Sequence, residues 1–322
     1  MERTNIMRLY LAPMEGITTY IYRNALHHHY GGFDRYYTPF LSNKVLSAKE
    51  LRDISPENNK EMKVIPQILT NQTETFLKIA KRLQNFGYEE VNFNLGCPSG
   101  TVAAKKRGAG FLSVPDELNR FLHEIFAKCP LDISIKTRIG IESEHEWENL
   151  LAIYQKYPIK ELIIHPRYQK EFYKGTPHVE AFKQAADTLK DNSTALCYNG
   201  DITSAKSFHD LIKKVPSTEA VMLGRGVLAN PELGQLLRSE DSKLLYPDKL
   251  STFRAFHDEI LTGYMDYMSG DQPVLFKMKE LWSYMGAYVH ASESLLKKIR
   301  KTKRLSDYRN TVQTILSEAQ RI

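Results

Sequence analysis

The sequence predicts an α/β protein, a (β/α)₈ TIM barrel followed by a C-terminal all-helical domain. Short β-rich runs alternate with amphipathic helical stretches over about the first 240 residues, which is the size and rhythm of such a barrel. After about Leu244 the strand signal stops and only helical patterns follow. No G-x-G-x-x-G motif follows the first strand, which weakens the rival, a doubly wound open sheet. We place the barrel at residues 1–243 and the helical domain at residues 244–322, with Leu244–Asp248 as the linker.

Eight runs rich in β-branched, aromatic and other apolar residues are predicted to be the strands. They are Met7–Leu11, Phe33–Thr38, Val64–Leu69, Glu90–Leu95, Asp132–Thr137, Glu161–His165, Thr194–Asn199 and Ala220–Leu223. The helical patterns between them include Thr73–Phe86, Asp116–Lys128, Glu144–Tyr157, His178–Leu189 and Ser204–Lys213. The predicted C-terminal helices are Ser251–Met268, Pro273–Val289, Ser292–Thr302 and Ser306–Arg321.

The composition is that of a globular enzyme. The chain has 322 residues, of which 42% are hydrophobic and 25% charged, enough for a sizeable core. Its net charge of +6 is compatible with a nucleic-acid partner without requiring one. Three cysteines argue against a disulfide framework and for a reducing compartment. The segment Met1–Arg8 lacks the apolar core of a signal peptide, and no run approaches a membrane span. We expect a cytoplasmic, monomeric enzyme.

Polar and reactive residues fall where the predicted strands end. In a barrel of this kind the carboxyl ends of the strands form the rim that carries the active site. The residues predicted to lie on this rim are Pro13, Met14, Gln67, Asn94, Cys97, Lys136, Arg138, His165, Asn199, Gly200, Asp201, Gly224, Arg225 and Gly226. Any one of them alone is a weak signal, but their convergence on one face predicts a single site.

Cys97 lies between Gly96 and Pro98, just beyond the end of the fourth predicted strand. Glycine and proline both interrupt regular structure, so the thiol is expected on a loop at the rim. A buried structural cysteine is the common alternative. The rim position favours a reactive group instead. With an ordinary pKa near 8.5, the thiol keeps its proton at neutral pH and suits a proton donor better than a nucleophile.

Lys136 and two glycine-bearing loops point to a phosphorylated, electron-rich ligand. A lysine in a strand that faces a barrel interior needs an acceptor or an anion. The edge of a flavin would serve, because a cation there stabilises the negative charge that develops on reduction. The loops Asn199–Asp201 and Gly224–Gly226 follow strands seven and eight, where such barrels often bind a phosphate through backbone N–H groups.

Taken together and in this order, these motifs resemble the tRNA-dihydrouridine synthase family. The resemblance covers the whole barrel, and the helical tail is similar to the C-terminal domain of that family. The motifs that carry it are Leu11–Gly16, Pro66–Gln67, Asn94–Ser99, Lys106–Gly110, Lys136–Arg138, His165, Asn199–Asp201 and Gly224–Gly226.

The resemblance implies an FMN enzyme that reduces the C5–C6 double bond of uridine in tRNA, with NADPH or NADH as the reductant. It implies that a hydride passes from flavin N5 to C6 and that Cys97 protonates C5. It further implies that Asn94, Arg138 and Tyr173 hold the uracil. The residues implied to bind FMN are Pro13, Met14, Gln67, Lys136 and His165, with Asn199, Gly200, Asp201, Gly224 and Arg225 on the phosphate side.

One position departs from the family pattern. The family usually has His-Gly-Arg after the sixth strand, whereas this chain has His165-Pro166-Arg167. Proline has no N–H and a fixed φ, so a loop that used the glycine's amide or a positive φ would have to be rebuilt. This departure puts the placement of Arg167 in doubt more than that of His165.

The C-terminal region contains a basic run, Lys297–Arg304, with six cations in eight residues. Such a run beside an RNA enzyme is expected to contact phosphates, and we predict that Lys297, Lys298, Arg300 and Lys301 bind the RNA backbone. We predict no metal site. The run His27–His29 is interpreted as a solvated helix end, because adjacent helical residues point in different directions.

The sequence leaves three other functions open. The first is an FMN barrel that reduces a small molecule such as a free pyrimidine, which leaves the basic tail without a purpose. The second is a dihydrouridine synthase that acts on ribosomal RNA. The third is a barrel that binds RNA without catalysis, which leaves Cys97 and Lys136 unexplained. The identity of the reduced uridine depends on how the RNA is oriented, and no motif encodes it.

Overall fold

The computed structural model describes residues 7–239 and 248–319, and its eight strands are parallel and close into a barrel in chain order. Each strand pairs with the next along the chain, and the eighth pairs with the first. The strands are β1 (Arg8–Leu11), β2 (Arg35–Leu41), β3 (Val64–Ile68), β4 (Glu90–Leu95), β5 (Asp132–Arg138), β6 (Glu161–His165), β7 (Ala195–Tyr198) and β8 (Ala220–Leu223).

Helices surround this barrel and continue into the C-terminal region. Those before residue 240 are α1 (Tyr20–His29), α2 (Ala48–Ile54), α3 (Thr73–Asn85), α4 (Gly100–Ala103), α5 (Pro115–Lys128), α6 (Glu144–Tyr154), α7 (Val179–Leu189), α8 (Ala205–Lys214), α9 (Arg225–Ala229) and α10 (Leu233–Leu236). Those after it are α11 (Lys249–Tyr267), α12 (Asp271–Met285), α13 (Glu293–Lys301) and α14 (Leu305–Ala319).

The local sequence accounts for these elements. β4 and β6 are buried at every residue, as expected of strands covered by helices outside and by side chains inside. α3 buries Phe76, Ile79, Ala80 and Leu83, a helical repeat that faces the sheet. The (β/α)₈ barrel and the helical C-terminal region predicted from the sequence are therefore confirmed.

The second strand differs most from its prediction. The sequence predicted Phe33–Thr38, whereas β2 runs from Arg35 to Leu41. Pro39 lies inside it, at an irregularity where the register to β3 shifts. The hydroxyl of Thr38 accepts the N–H of Gln67 there at 3.1 Å, so the ladder continues past the proline.

Residues 320 and 321 of the last predicted helix lie outside the described residues, as do the 243/244 boundary and residues 244–247 of the linker.

The helical C-terminal region packs directly on the barrel. Phe256 of α11 makes edge contacts with Tyr22 of α1, at a centroid distance of 5.7 Å, and with Tyr30, at 5.3 Å. His28 and His29 both bond the carboxylate of Glu259 on α11, each at 2.8 Å. The histidines do end α1 and His28 is exposed, as expected, but both side chains also contact α11. The described part of the chain has no group of three or more His, Cys, Asp or Glu side chains placed to hold a metal ion.

A network of ion pairs fills the N-terminal end of the barrel. The carboxylate of Glu161 accepts the hydroxyl of Tyr10 at 2.8 Å and a guanidinium N–H of Arg35 at 3.0 Å. Arg35 also lies 3.3 Å from Glu90, which in turn pairs with Lys160 at 3.3 Å. Buried charges need partners, and at this end of the barrel the chain itself supplies them. None of the described helices has the length and apolar character needed to cross a membrane.

Candidate active site

A cavity of about 470 Å³ opens at the carboxyl ends of the strands. This volume lies in the range of small-molecule and cofactor sites. All fourteen residues predicted to be catalytic, substrate-binding or cofactor-binding line it: Pro13, Met14, Gln67, Asn94, Cys97, Lys136, Arg138, His165, Tyr173, Asn199, Gly200, Asp201, Gly224 and Arg225. The structure thus brings these residues together in one place, and their individual roles stay predictions.

The loop that carries Cys97 is shaped by Asn94. The side-chain oxygen of Asn94 accepts the N–H groups of Gly96 and Cys97, each at 3.0 Å, which folds the chain back at the end of β4. Gly108 backs this loop with φ at 54°, and a Cβ there would stand 2.9 Å from the Cys97 Cβ. Burial raises the pKa of the Cys97 thiol above its ordinary value. The sulfur therefore holds its proton at neutral pH.

A chain of buried amides continues from Asn94 into the barrel. Its side-chain N–H donates to Gln67 at 2.7 Å, Gln67 donates to Asn92 at 2.7 Å, and Asn92 donates to Ser134 at 3.0 Å. Each amide thus has a fixed orientation, because its partners differ at the two ends. In this arrangement Asn94 positions the Cys97 loop and Gln67 together.

Lys136 lies between these amides and His165 on the sheet, since it pairs in register with Asn94 of β4 and Ile163 of β6. Its ammonium has no hydrogen-bond acceptor in the part of the chain that the structure describes. Burial, with a smaller contribution from Arg138, lowers its pKa to about 8. A cation that is poorly exposed to water and has no partner is costly, and this half-buried one faces the cavity. The site therefore favours a ligand that presents an anionic or electron-rich edge to Lys136.

Arg138, which is 1% exposed, ties the Cys97 loop to the loop after β6. Its Nε donates to the carbonyl of Gly96 at 3.0 Å, and its terminal nitrogens donate to the carbonyls of Tyr168 at 2.8 Å and Phe172 at 2.6 Å. Phe172 takes φ 53°, a strained value for a residue with a side chain. Arg138 thus holds that strained residue in place beside Tyr173.

Arg167 has no solvent exposure and is the most heavily engaged side chain of the site. Its guanidinium bonds both oxygens of Asp201, at 3.0 and 2.5 Å. It also donates to the carbonyls of Lys174 at 3.0 Å and Gly175 at 2.7 Å. Arg167 therefore links the loop after β7 to the loop that carries Tyr173.

The doubt that Pro166 cast on Arg167 was unfounded. The N–H of Arg167 donates to the carbonyl of His165 at 2.7 Å, which closes a three-residue turn centred on Pro166. In its common inverse form such a turn needs φ near −75° at the centre, close to the value that the proline ring imposes. The turn uses no N–H from residue 166, so the proline costs no hydrogen bond.

His165 is held in one protonation state. Its Nε2 lies 3.1 Å from a guanidinium nitrogen of Arg167, a group that can only donate, so Nε2 is the acceptor. Burial, together with the charges of Lys136 and Arg138, lowers the pKa of His165 well below its usual value. The imidazole is therefore neutral and carries its proton on Nδ1. Its ring stacks on Tyr173 with the centroids 6.1 Å apart.

Tyr173 and the two glycine-bearing loops form the other side of the cavity. The guanidinium of Arg225 lies 4.6 Å from the centroid of the Tyr173 ring and also bonds Asp201 at 3.0 Å. The side-chain N–H of Asn199 donates to the carbonyl of Met222 at 2.8 Å, which leaves its oxygen to the cavity. At Gly224 the nearest atoms to an added Cβ, from Ala12 and Met14, are 3.6 and 3.8 Å away, so a ligand can approach the backbone.

Sequence reasoning missed or doubted several residues of this site. Glu15, Phe40 and Tyr284 line the cavity, and Arg167 organises its loops. Phe40 lies beyond Thr38, where the predicted second strand ended. Tyr284 comes from α12 and reaches the cavity only because the helical region folds back onto the barrel, which no local pattern indicates. The Lys297–Arg304 run does not line the cavity.

Comparisons with known proteins agree with the resemblance seen in the sequence. A family model described as dihydrouridine synthase (Dus) matches residues 10–320. The chain is 30% identical over 228 residues to the "Probable tRNA-dihydrouridine synthase" of Staphylococcus aureus (strain COL), which covers 69% of this chain and 68% of that protein. It is 27% identical over 256 residues to the "Probable tRNA-dihydrouridine synthase 2" of Bacillus subtilis (strain 168), covering 77% and 78%. The structure of N-acetylneuraminate lyase from Mycoplasma synoviae shares the fold, with a TM-score of 0.50, 12% identity and 98% coverage of both chains.

Proposed function

Since this chain belongs to the dihydrouridine synthase family, we propose that it reduces the C5–C6 double bond of specific uridines in tRNA to dihydrouridine, with FMN as cofactor and NADPH or NADH as reductant. One observation carries the proposal. The half-buried ammonium of Lys136, which has no acceptor among the described residues, and the protonated thiol of Cys97 line the same cavity at the rim of the barrel. Reduction of a polarised double bond needs a cation near the electron donor and a proton source near the product.

The residues of the cavity fit FMN. Lys136 would supply a cation to the electron-rich edge of the flavin ring. Gln67 and the neutral His165 offer further polar contacts beside it. Pro13 and Met14 at the end of β1 supply an apolar wall. The set on the phosphate side is Asn199, Gly200, Asp201, Gly224 and Arg225. When bound, FMN supplies the hydride that adds to C6 of the uracil.

Cys97 is the proposed general acid. A donor must hold its proton at the working pH. Burial raises the pKa of this thiol, which favours the protonated form. The Asn94 turn fixes where the sulfur lies. After the hydride reaches C6, the pair of electrons of the former double bond takes the proton of Cys97 at C5. The thiolate that remains recovers a proton from solvent.

Asn94, Arg138 and Tyr173 are the proposed contacts to the uracil. The target base must leave its stack to reach the cavity, and an aromatic ring with amide and guanidinium donors is suited to hold it. Asn94 and Arg138 also bond the surrounding loops, which fixes their orientation. Because Arg138 has five N–H donors and three are used, it retains donors for a carbonyl oxygen.

The RNA backbone is proposed to lie along the C-terminal region, residues 244–322, with residues 1–243 as the catalytic part. The six cations of the Lys297–Arg304 run are all exposed, on α13 and the turn after it. Arg300 pairs with Glu293 at 2.6 Å, and such an exposed pair is weak and readily exchanged for a phosphate. Replacing Lys297, Lys298, Arg300 and Lys301 by Ala should weaken tRNA binding and flatten its dependence on salt. Equal salt slopes before and after would show that this run does not contact RNA.

The test of the function uses RNA from cells that lack the protein. Purified protein with FMN and NADPH should form dihydrouridine in tRNA from such cells, at positions that are dihydrouridine in the parent strain. Ribosomal RNA, free uridine and free uracil are the parallel substrates. Turnover of a free pyrimidine alone would support the small-molecule reductase, and modification of ribosomal RNA alone would support the second alternative. Protein that purifies without flavin and cannot be reconstituted would favour RNA binding without catalysis. As a tRNA-modifying enzyme, the protein is proposed to act in the cytoplasm as a monomer.

A further inference from the structure

Phe276 is an aromatic side chain that the fold leaves 68% exposed on α12. Burying a phenylalanine stabilises a protein by about 1.5–3 kcal/mol, so one left in solvent calls for a reason. The other large hydrophobic side chains that stand exposed in residues 7–239 and 248–319 are Val45, Phe172 and Tyr173. Those three lie on loops after β2 and β6, at the active-site end of the barrel, and Tyr173 lines the cavity.

The next residue places Phe276 near the mouth of the cavity. The ammonium of Lys277 donates to the carbonyl of Gly16 at 2.8 Å, in the loop whose Met14 and Glu15 line the cavity. Tyr284, two turns further along the same face of α12, lines the cavity itself. One side of α12 is therefore seated on the rim of the active site.

Two other residues of α12 place Phe276 beside the basic run. Gln272 donates to the carbonyl of Lys303 at 3.0 Å, and Lys279 donates to the carbonyl of Thr302 at 2.5 Å. Positions 272, 276 and 279 follow helical spacing, so Phe276 lies on the same face, between these two contacts. Phe276 thus stands between the end of the Lys297–Arg304 run and the mouth of the cavity.

The surroundings of the ring are mainly cationic. Lys277 Nζ lies 5.6 Å from its centroid and pairs with Glu280 at 3.4 Å. Lys279, one turn after Phe276, contacts the basic run through the carbonyl of Thr302. The apolar surface of a protein partner would offer these cations no counter-charge. An RNA strand does, because its phosphates need cations and its unpaired bases stack on aromatic rings.

We propose that Phe276 is a stacking platform for an unpaired base of the RNA, close to the uridine that enters the cavity. The inference rests on the proposed function, because it takes RNA as the ligand. The base would lie on the exposed face of the ring while the basic run binds the phosphates on one side and the cavity receives the uridine on the other. Phe276 acts in binding and has no part in the chemistry.

The test compares Phe276→Ala, Phe276→Leu and Phe276→Trp for binding to tRNA purified from cells that lack the protein. Stacking on an aromatic side chain contributes enough that its loss should weaken binding roughly 5- to 150-fold in the alanine variant. The leucine variant keeps an apolar side chain but has no ring, so its affinity should fall in the same way. The tryptophan variant should keep the affinity of the wild type. Since Phe276 is uncharged, all three should keep the wild-type salt slope.

Three results would overturn the inference: an alanine variant that binds like the wild type, a leucine variant that does, or a tryptophan variant as weak as alanine. Binding is measured without turnover, so it separates this inference from the proposed function. If the wild type binds tRNA but forms no dihydrouridine, the proposed function is wrong. The comparison of the Phe276 variants then still shows whether this ring stacks on a base. If dihydrouridine forms with an unchanged KM for tRNA in the alanine and leucine variants, only the platform is wrong. FMN content and NADPH oxidation without RNA, which need no RNA contact, should be unchanged in all three.

Discussion

At the N-terminal end of the barrel, the buried carboxylates of Glu161 and Glu90 lie 3.0 and 3.3 Å from the guanidinium of Arg35. At the C-terminal end, the ammonium of Lys136 has no acceptor among the described residues, and its pKa is lowered to about 8. Both ends belong to the same barrel and are built from the same strands. The first end satisfies its charges within the chain, whereas the second leaves one to be satisfied by a ligand.

This difference separates charges that hold the fold from charges that hold a ligand. A buried ion pair is costly to break from either side, because the remaining charge stays in a poorly solvated place. An unpaired buried charge is already costly before any mutation. Removing a charge should therefore have opposite effects on stability at the two ends of the barrel.

The largest effect is expected at Cys97. Cys97→Ala should lower dihydrouridine formation by about 10²- to 10⁴-fold, the usual contribution of a general acid, while FMN binding and its reduction by NADPH remain. Cys197, 0% exposed in the interior with Tyr10 and Tyr37, is the matched control, and Cys197→Ala should keep near-normal turnover. Single-turnover rates with tRNA measure both. A Cys97→Ala enzyme as fast as the wild type would remove the thiol from the mechanism.

Next in size is the loss of a paired charge at the N-terminal end of the barrel. Glu161→Gln should lower the free energy of unfolding by about 3–5 kcal/mol, because Arg35 loses its nearest carboxylate while remaining buried. Glu219→Gln is the control, since Glu219 belongs to an exposed pair with Arg8 and should change stability by at most about 1 kcal/mol. Urea denaturation of the flavin-free proteins compares the two. If both variants lost the same small free energy of unfolding, the ion pairs at this end would not be what stabilises the fold.

The opposite sign is expected for Lys136. Lys136→Met should raise the stability of the flavin-free protein at pH 7 by roughly 2–3 kcal/mol, because the pKa of about 8 lies below the unfolded value of 10.5. The same variant should lose FMN more readily or show a lower flavin reduction potential. Thermal unfolding and potentiometry are the measurements. A destabilised variant with full FMN occupancy and an unchanged potential would place Lys136 with the structural charges.

The smallest effect concerns pH. The unfolded chain binds the Lys136 proton more tightly than the native chain does, so wild-type stability without flavin should rise between about pH 8 and pH 10.5. FMN binding favours the charged lysine, and its affinity should fall by at most about tenfold from pH 7 to pH 9. Both trends should disappear in Lys136→Met. Titration of FMN into the apoprotein at several pH values measures the fall in affinity. The same fall in Lys136→Met would show that another group causes it.

Much of this organisation could be predicted from the sequence because it is local. β4 and β6 were predicted to the residue, since each is an apolar run bounded by turn residues. The site residues were predicted because strand ends in a barrel share one rim, so that positions far apart in the chain, such as Cys97 and Arg225, were expected together. Sequence alone also indicated that Lys136 needed a ligand.

The rest depended on contacts that no local pattern encodes. Tyr284 reaches the cavity only through the packing of α12 on the rim. The six carbonyl and carboxylate partners of Arg138 and Arg167 come from loops outside the strands and helices. The histidines at the end of α1 seemed solvated because their partner, Glu259, is about 230 residues further along the chain. Tertiary contacts of this kind follow from the assembled fold.

Pro166 has a consequence for the chain before it folds. Proline restricts its own φ and disfavours the helical region for the preceding residue, here His165 at the end of β6. The unfolded chain therefore has fewer conformations to lose when the turn between His165 and Arg167 forms. At compatible positions this reduction of unfolded-state entropy stabilises a protein by about 0.4–1 kcal/mol. A glycine in its place would leave that stretch of the denatured ensemble much freer, so the proline reinforces the turn that sets Arg167.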